Sequence, residues 1–195
     1  MQKLVVTGGK KLQGTVKVSG SKNVALKALV AACLTSDGVT IHNVPLISDF
    51  FVMVGIMKEL GAEISITDHT VIIKMDKFLT HEISLEEGAK ARTSSMFISP
   101  LLARFGEAII PNPGGCRLGA RPVDRTIDGI RALGVDVTYH SDDGYFHAKT
   151  NGLVGSIYTF DKNTHTGTET LILAAVLAKG TTVLKNAAEE PEIDD

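Results

Sequence analysis

Lys22-Asn23-Val24-Ala25-Leu26 opens an apolar run that passes through Ala31-Ala32-Cys33-Leu34 and ends in Gly38-Val39-Thr40-Ile41-His42-Asn43. The same plan recurs twice. Arg92-Thr93-Ser94-Ser95 leads through Leu101-Leu102-Ala103-Arg104 to Gly106-Glu107-Ala108-Ile109-Ile110-Pro111-Asn112. Thr166-Gly167-Thr168-Glu169 leads through Ala174-Ala175-Val176-Leu177 to Gly180-Thr181-Thr182-Val183-Leu184-Lys185-Asn186. Each copy has a polar or basic start, an apolar helix, a Gly, a short β-branched strand and an Asn. Such self-similarity means one supersecondary unit used repeatedly, with neighbours burying what one copy cannot.

The first two copies continue alike. Asp49 precedes a helix ending in Leu60-Gly61-Ala62, and Asp124 precedes one ending in Leu133-Gly134-Val135. Asp near a helix N-terminus can cap free amides, and Gly suits the position just past the end. Strands follow at Glu63 to Thr67 and Val71 to Lys74, then at Asp136 to His140 and Tyr145 to Lys149. Asp68-His69-Thr70 and Asp142-Asp143-Gly144 supply the turns between them. The unit is therefore β-α-β-α-β-β and the fold class α/β. In the third copy, Glu190-Pro191-Glu192-Ile193-Asp194-Asp195 reads as the start of a second helix, and the chain stops there. A fragment of a longer protein is expected.

Val24 to Leu34 carries only Lys27 as a charge, and Leu171 to Ala178 carries none. Helices apolar on all faces are expected to be buried on all sides. The second helices are amphipathic, with Phe51, Val54, Met57 and Leu60 inward and Lys58 and Glu59 outward.

The 195 residues suffice for a core without disulfides or metals. At 44% hydrophobic and 22% charged residues, disorder, collagen and coiled coil are excluded. A formal charge of −2 argues against a dedicated nucleic-acid or membrane-surface protein. Two cysteines cannot staple a scaffold and suit a reducing compartment. The N-terminus lacks a long apolar stretch of the signal-peptide kind, and the longest apolar run, Ala28 to Leu34, is far short of a membrane span. A cytoplasmic protein is expected.

Lys22 and Arg92 stand where apolar helices begin, so each adds a cation to the free amides of a helix N-terminus, an anion-binding arrangement. The sharpest local feature is Asn112-Pro113-Gly114-Gly115-Cys116-Arg117-Leu118-Gly119-Ala120-Arg121-Pro122-Val123-Asp124, a shaped loop that places Cys116 beside Arg117. Cations lower a thiol pKa, which makes Cys116 a candidate nucleophile or general acid. Cys33 lies in an apolar helix and is expected to be buried and inert. His42, His69, His81, His140, His147 and His165 show no metal-ligand spacing, so neither metal nor cofactor is expected. Gly8-Gly9-Lys10 lacks the P-loop spacing, and no Gly-x-Ser-x-Gly occurs.

Ser19-Gly20-Ser21-Lys22-Asn23-Val24-Ala25-Leu26, Pro113-Gly114-Gly115-Cys116, Gly119-Ala120-Arg121-Pro122-Val123-Asp124 and Asn186-Ala187-Ala188 with Glu190-Pro191-Glu192-Ile193 resemble the enolpyruvyl transferase family. Within it they resemble the UDP-N-acetylglucosamine 1-carboxyvinyltransferases of the MurA type, over essentially the whole chain. EPSP synthase shares the fold but not the Cys loop. The resemblance implies an inside-out α/β barrel of two domains, in a chain roughly twice this length. Residues 1–21 would belong to a second, mostly missing domain, the intramolecular partner. Residues 22–195 would form most of the first, as units 22–87, 88–155 and an incomplete 156–195.

It also implies transfer of enolpyruvyl from phosphoenolpyruvate to the 3-hydroxyl of UDP-N-acetylglucosamine, the first committed step of peptidoglycan synthesis. Cys116 would donate a proton to the phosphoenolpyruvate methylene and be the thiol that fosfomycin alkylates. Lys22 and Asn23 would touch both substrates. Arg92 and Arg121 would hold phosphate or carboxylate. Arg121, Pro122, Val123, Asp124 and Arg125 would line the uridine site, and Lys162 to Gly167 would reach the diphosphate. Thr126 stands where the family usually has His, and the Lys162–Gly167 stretch is one residue longer than usual. The family's Asp base and a further Arg lie in the missing domain, so this chain alone is expected to be inactive. The alternative is a non-catalytic UDP-sugar-binding module.

Overall fold

Ser21 starts the first helix because its hydroxyl accepts the Val24 amide hydrogen bond at 3.4 Å. This helix, α1, runs Lys22–Ala32 and leads to strand β1, Val39–Ile41. Helix α2, Ser48–Glu59, is followed by β2, Glu63–Thr67, and β3, Thr70–Lys74. A short α3, Leu85–Gly88, precedes a 3-10 helix at Arg92–Phe97 that continues as α4, Ile98–Arg104, and then β4, Glu107–Pro111. Next come α5, Asp124–Ala132, β5, Asp136–His140, and β6, Tyr145–Lys149. The described chain closes with β7, Ile157–Thr159, α6, His165–Ala175, β8, Val183–Lys185, and a 3-10 turn at Pro191–Ile193. This computed structural model describes residues 3–112 and 123–194.

The repeat is visible in the sheets. The first is ordered β1-β3-β2 and the second β4-β6-β5, both antiparallel. In the third copy, β7 pairs with β8 in parallel across α6. The second copy holds the same relation in miniature, a parallel bridge between Glu82 and Ile109. Asn43 and Asn186, equivalent in the repeat, both adopt positive φ, 57° and 53°. Asn tolerates that left-handed region better than most residues. Gly61 and Gly134 end α2 and α5 at φ 112° and 84°, as the Gly signal implies.

The core lies between the helices and the inner sheet faces, around Leu29, Phe50, Met53, Phe97, Leu101 and Leu171. Four expectations change. Asp49 and Asp124 do not cap: they sit in the first turns of α2 and α5, behind Ile47 and Val123, neither of which makes a side-chain cap bond. Phe51 is half exposed, because the buried stripe runs through Phe50, Met53, Val54, Met57 and Leu60, and Phe51 falls at its edge. Strand β3 begins at Thr70, which pairs with Thr67. The apolar helices also differ in burial. In α4, Ile98 to Leu102 are buried, but α1 and α6 flank an open groove of about 390 Å³ lined in part by Ala28, Ala31 and Ile172.

Arg104 ties the first two units together. Its guanidinium donates to the carbonyls of Cys33, Thr35 and Met75 at 3.0, 3.0 and 2.8 Å, and to Asp76 at 2.8 Å. Such a planar fork of donors suits several carbonyls at once. Among the described residues no helix is long and apolar enough to cross a membrane.

Candidate functional site

Helix N-termini converge at one end of the molecule. Lys22, the first residue of α1, makes an ion pair with Asp49 in the first turn of α2. Next to it, Asn23 donates through Nδ2 to Glu192 Oε1 at 3.0 Å. Glu192 Oε1 also lies 3.4 Å from Nε2 of His165, the first residue of α6. The N-termini of α1, α2 and α6 are thus joined by side chains. Glycine completes the set. A Cβ on Gly167 would fall 2.5 Å from Thr164 Cγ2 and 3.2 Å from Thr126 Oγ1, so the absence of a side chain lets α6 begin against the first turn of α5. Thr164 caps α6 by accepting the Gly167 amide at 3.3 Å.

Arg125 and Lys162 meet through one carboxylate. Arg125 Nε donates to Asp161 Oδ1 at 2.6 Å, and the Lys162 amide donates to the same oxygen at 2.7 Å. The Arg125 guanidinium holds the Asp161 carboxyl below its usual range. The Tyr158 hydroxyl fixes the start of α5 by donating to the Arg125 carbonyl at 3.0 Å. Partial burial raises the Tyr158 pKa, which keeps the phenol a donor. Asp124, Arg125, Asp128, Tyr158, Thr159 and Asp161 surround a cleft of about 310 Å³.

Beneath the N-termini lies a second charged group. Lys27 Nζ is 3.0 Å from Glu169 Oε1, an ion-pair contact rather than an aligned hydrogen bond, and His165 Nε2 is 3.5 Å from the same oxygen. Burial pushes the Glu169 carboxyl above its ordinary value, and Lys27 opposes the shift. Glu192 moves the other way, held below the usual range chiefly by the Asn23 amide.

Lys22, Asn23, Asp124, Arg125, Lys162 and Gly167 therefore all stand on this network or its rim. Val123 is half-buried as the residue before α5. Arg92 opens a 3-10 helix that packs against α1 and α2. Cys116, Arg121 and Pro122 lie outside the described residues. Cys33 is fully buried, and burial pushes its thiol up to about 12, so it is a poor nucleophile. Sequence reasoning missed Asp49 as a partner of Lys22 and missed Asp161 and Tyr158 altogether, and it included His165 only as part of the Lys162–Gly167 stretch. Their roles depend on neighbours far away in the chain, and no local pattern marks them. The arrangement gathers helix N-termini with Lys22 and Arg125, each cation paired with a carboxylate, and a phosphate-bearing ligand could take the carboxylates' place.

The sequence profile of EPSP synthase (3-phosphoshikimate 1-carboxyvinyltransferase) matches residues 6–195. A UDP-N-acetylglucosamine 1-carboxyvinyltransferase of Solibacter usitatus (strain Ellin6076) is 43% identical over the whole of this chain, which spans 46% of that relative's length. The crystal structure of the enolpyruvyl transferase NikO from Streptomyces tendae superposes with a TM-score of 0.82 at 21% identity, covering 96% of this chain and 44% of that one. An EPSP synthase from Acinetobacter baumannii superposes with a TM-score of 0.72 at 16% identity, covering 93% of this chain and 42% of that one. At these identities the two structures speak for the fold alone.

Proposed function

Since the chain belongs to the EPSP synthase family of carboxyvinyltransferases, we propose that it carries part of the site that transfers enolpyruvyl from phosphoenolpyruvate to the 3-hydroxyl of UDP-N-acetylglucosamine, at the entry to peptidoglycan synthesis. The observation that carries this reading is the convergence of the α1, α5 and α6 N-termini around Lys22, Asn23, Arg125 and Gly167. Both substrates are rich in phosphate. Helix amides and fixed cations bind such groups, Arg bidentately and Lys as a point charge.

In this reading Lys22 leaves Asp49 to meet the charged groups of phosphoenolpyruvate. Asn23 turns from Glu192 to touch both substrates. Arg92 and Arg121 hold phosphate or carboxylate. The cleft beside Arg125 takes the uridine, with Pro122, Val123 and Asp124 along its rim, and Lys162 to Gly167 reach the diphosphate. Cys116 gives its proton to the methylene carbon, C3, and positive character develops at C2, where the sugar hydroxyl adds and gives up its proton to the family's Asp base in the second domain; phosphate then leaves C2 and a proton leaves C3, which restores the double bond. A positioned acid and exclusion of water favour that step. Fosfomycin alkylates the same thiol.

Residues 3–19 are exposed along their whole length and display Leu4, Val6, Leu12, Val16 and Val18. An apolar row of this kind supports the assignment of 1–21 to a second domain, the intramolecular partner of 22–195. The chain spans about half the length of the curated relative it matches, and alone it is not expected to turn over.

The test is phosphate release by the protein from its complete reading frame. Release that requires both substrates, with one fosfomycin adduct lost in Cys116→Ala, is the expected result. Binding of UDP-N-acetylglucosamine without phosphate release would favour the non-catalytic sugar-binding module. An adduct that survives in Cys116→Ala would overturn the proton-donor assignment.

A further inference from the structure

The β5–β6 hairpin is paired from Asp136↔Lys149 to His140↔Tyr145, with Thr138 opposite His147. Strand side chains alternate, so His140, two residues beyond Thr138, shares a face with His147. The two imidazoles lie 4.0 Å apart between centroids, with 23° between their planes. Asp143 comes from the turn. Its Oδ1 accepts the Tyr145 amide at 2.9 Å, and its Oδ2 lies 3.1 Å from His147 Nε2. One ligand atom from each of His140, Asp143 and His147 lies within 4.8 Å of the others.

We propose that His140, Asp143 and His147 form a site for one divalent transition-metal ion of the zinc class. Two imidazoles and one carboxylate are donors that suit zinc, nickel or copper, whereas magnesium and calcium favour all-oxygen shells. Zinc bonds to these donors are about 2.0–2.2 Å long, so the ligand atoms must lie roughly 3.5 Å apart. The Asp143–His147 pair already meets that spacing. His140 is exposed, and its ligand atom lies within 4.8 Å of the other two. The Tyr145 amide orients Asp143 from behind, the kind of outer-shell contact that supports metal ligands. Three protein ligands leave further positions for water or an incoming donor. The ion would clamp the turn onto β6. None of the three residues belongs to the helix N-terminal network, so the site stands independently of the transferase reading.

The test is calorimetric titration of the EDTA-stripped, tag-free full chain with zinc chloride, alongside melting with and without the ion. One equivalent should bind and raise Tm, since an ion that binds only the folded state stabilises it. His140→Ala and His147→Ala should each weaken binding by about ten-fold or more and abolish the Tm shift. Asp143→Asn should act in the same direction. His81→Ala, on the same sheet face but outside the triad, should bind as the parent does. Each variant's Tm in EDTA reports its folding, and His140→Gln with His147→Gln replaces any alanine variant that fails there. Cobalt should give a visible absorption band that the double variant lacks. No saturable binding by the parent would mean that His147 and Asp143 are only a hydrogen-bonded pair. Undiminished binding by the double variant would place the ion elsewhere, and either result overturns the proposal.

Discussion

The seam between α4 and α6 and the seam between α6 and α1 join equivalent helices of the repeat, yet they are built differently. The first is dry. Ser99 donates to the Thr170 carbonyl at 2.7 Å in a buried position, and α5 packs against α6 across Gly129. A Cβ on Gly129 would fall 2.3 Å from Leu171 Cδ1, so the missing side chain sets how closely α5 approaches. The second seam is open. It is spanned by the Lys27–Glu169 ion pair and opens into the groove lined by Ala28, Ala31 and Ile172. Among the described residues, only Glu192 and Ile193 reach it from outside α1, β1 and α6. An all-round apolar helix therefore records the contacts it can make, and its burial is set by which neighbours are in place.

The largest expected effect lies at the buried α5–α6 contact beside that first seam. Leu171 is fully buried, and Leu171→Ala should cost about 2–5 kcal/mol by denaturant unfolding, through lost burial and a residual cavity. A much smaller loss would mean that this seam also admits water. Lys27→Met comes next. It removes the ammonium from the Glu169 carboxylate while His165 stays 3.5 Å away, at about 2 kcal/mol, below the roughly 3–5 of a fully enclosed pair because the groove admits solvent. Adding Glu169→Leu should recover most of that loss, and a double variant no better than the single one would argue against the pairing.

The same pair sharpens the comparison through pH. Burial holds the Glu169 carboxyl above its ordinary value, so the folded state takes up a proton more readily than the unfolded one. Stability linked to this group therefore rises as pH falls toward its unfolded value. The Lys27→Met deficit should shrink as the pH is lowered, and a deficit that grows on acidification would reverse the assignment. The smallest effect belongs to Ile172→Ala on the groove wall, under about 1 kcal/mol, as for partly exposed positions. Equal losses for Ile172→Ala and Leu171→Ala, one residue apart on α6, would erase the distinction between the seams.

Much of the fold is legible locally. The strands Glu63–Thr67, Asp136–His140 and Tyr145–Lys149 match their expected limits, because period-two alternation and turn residues act within a few positions. Glycines after α2 and α5 behave the same way. Lys22, Asn23 and Gly167 are legible as helix starts. Their partners Asp49, Glu192 and Thr126 are not, because those contacts cross from one repeat element to another. Asp49 shows why: sequence suggests a cap, but the ammonium of Lys22, delivered by α1, competes for its carboxylate. His140 and His147 likewise match no linear metal pattern, and only the hairpin register brings them to one face.

By itself, the sequence determined the repeating α/β unit, the limits of three of its strands, the buried and inert character of Cys33, and the family to which the chain belongs. These rest on periodicity, turn chemistry and motif order, which are properties of neighbouring residues. Only the tertiary structure decided which carboxylate meets which cation, which faces of α1 and α6 remain open, and which helix ends share one site. Those outcomes depend on groups far apart in the chain, and on distances of a few ångströms that packing sets and spacing along the chain does not encode.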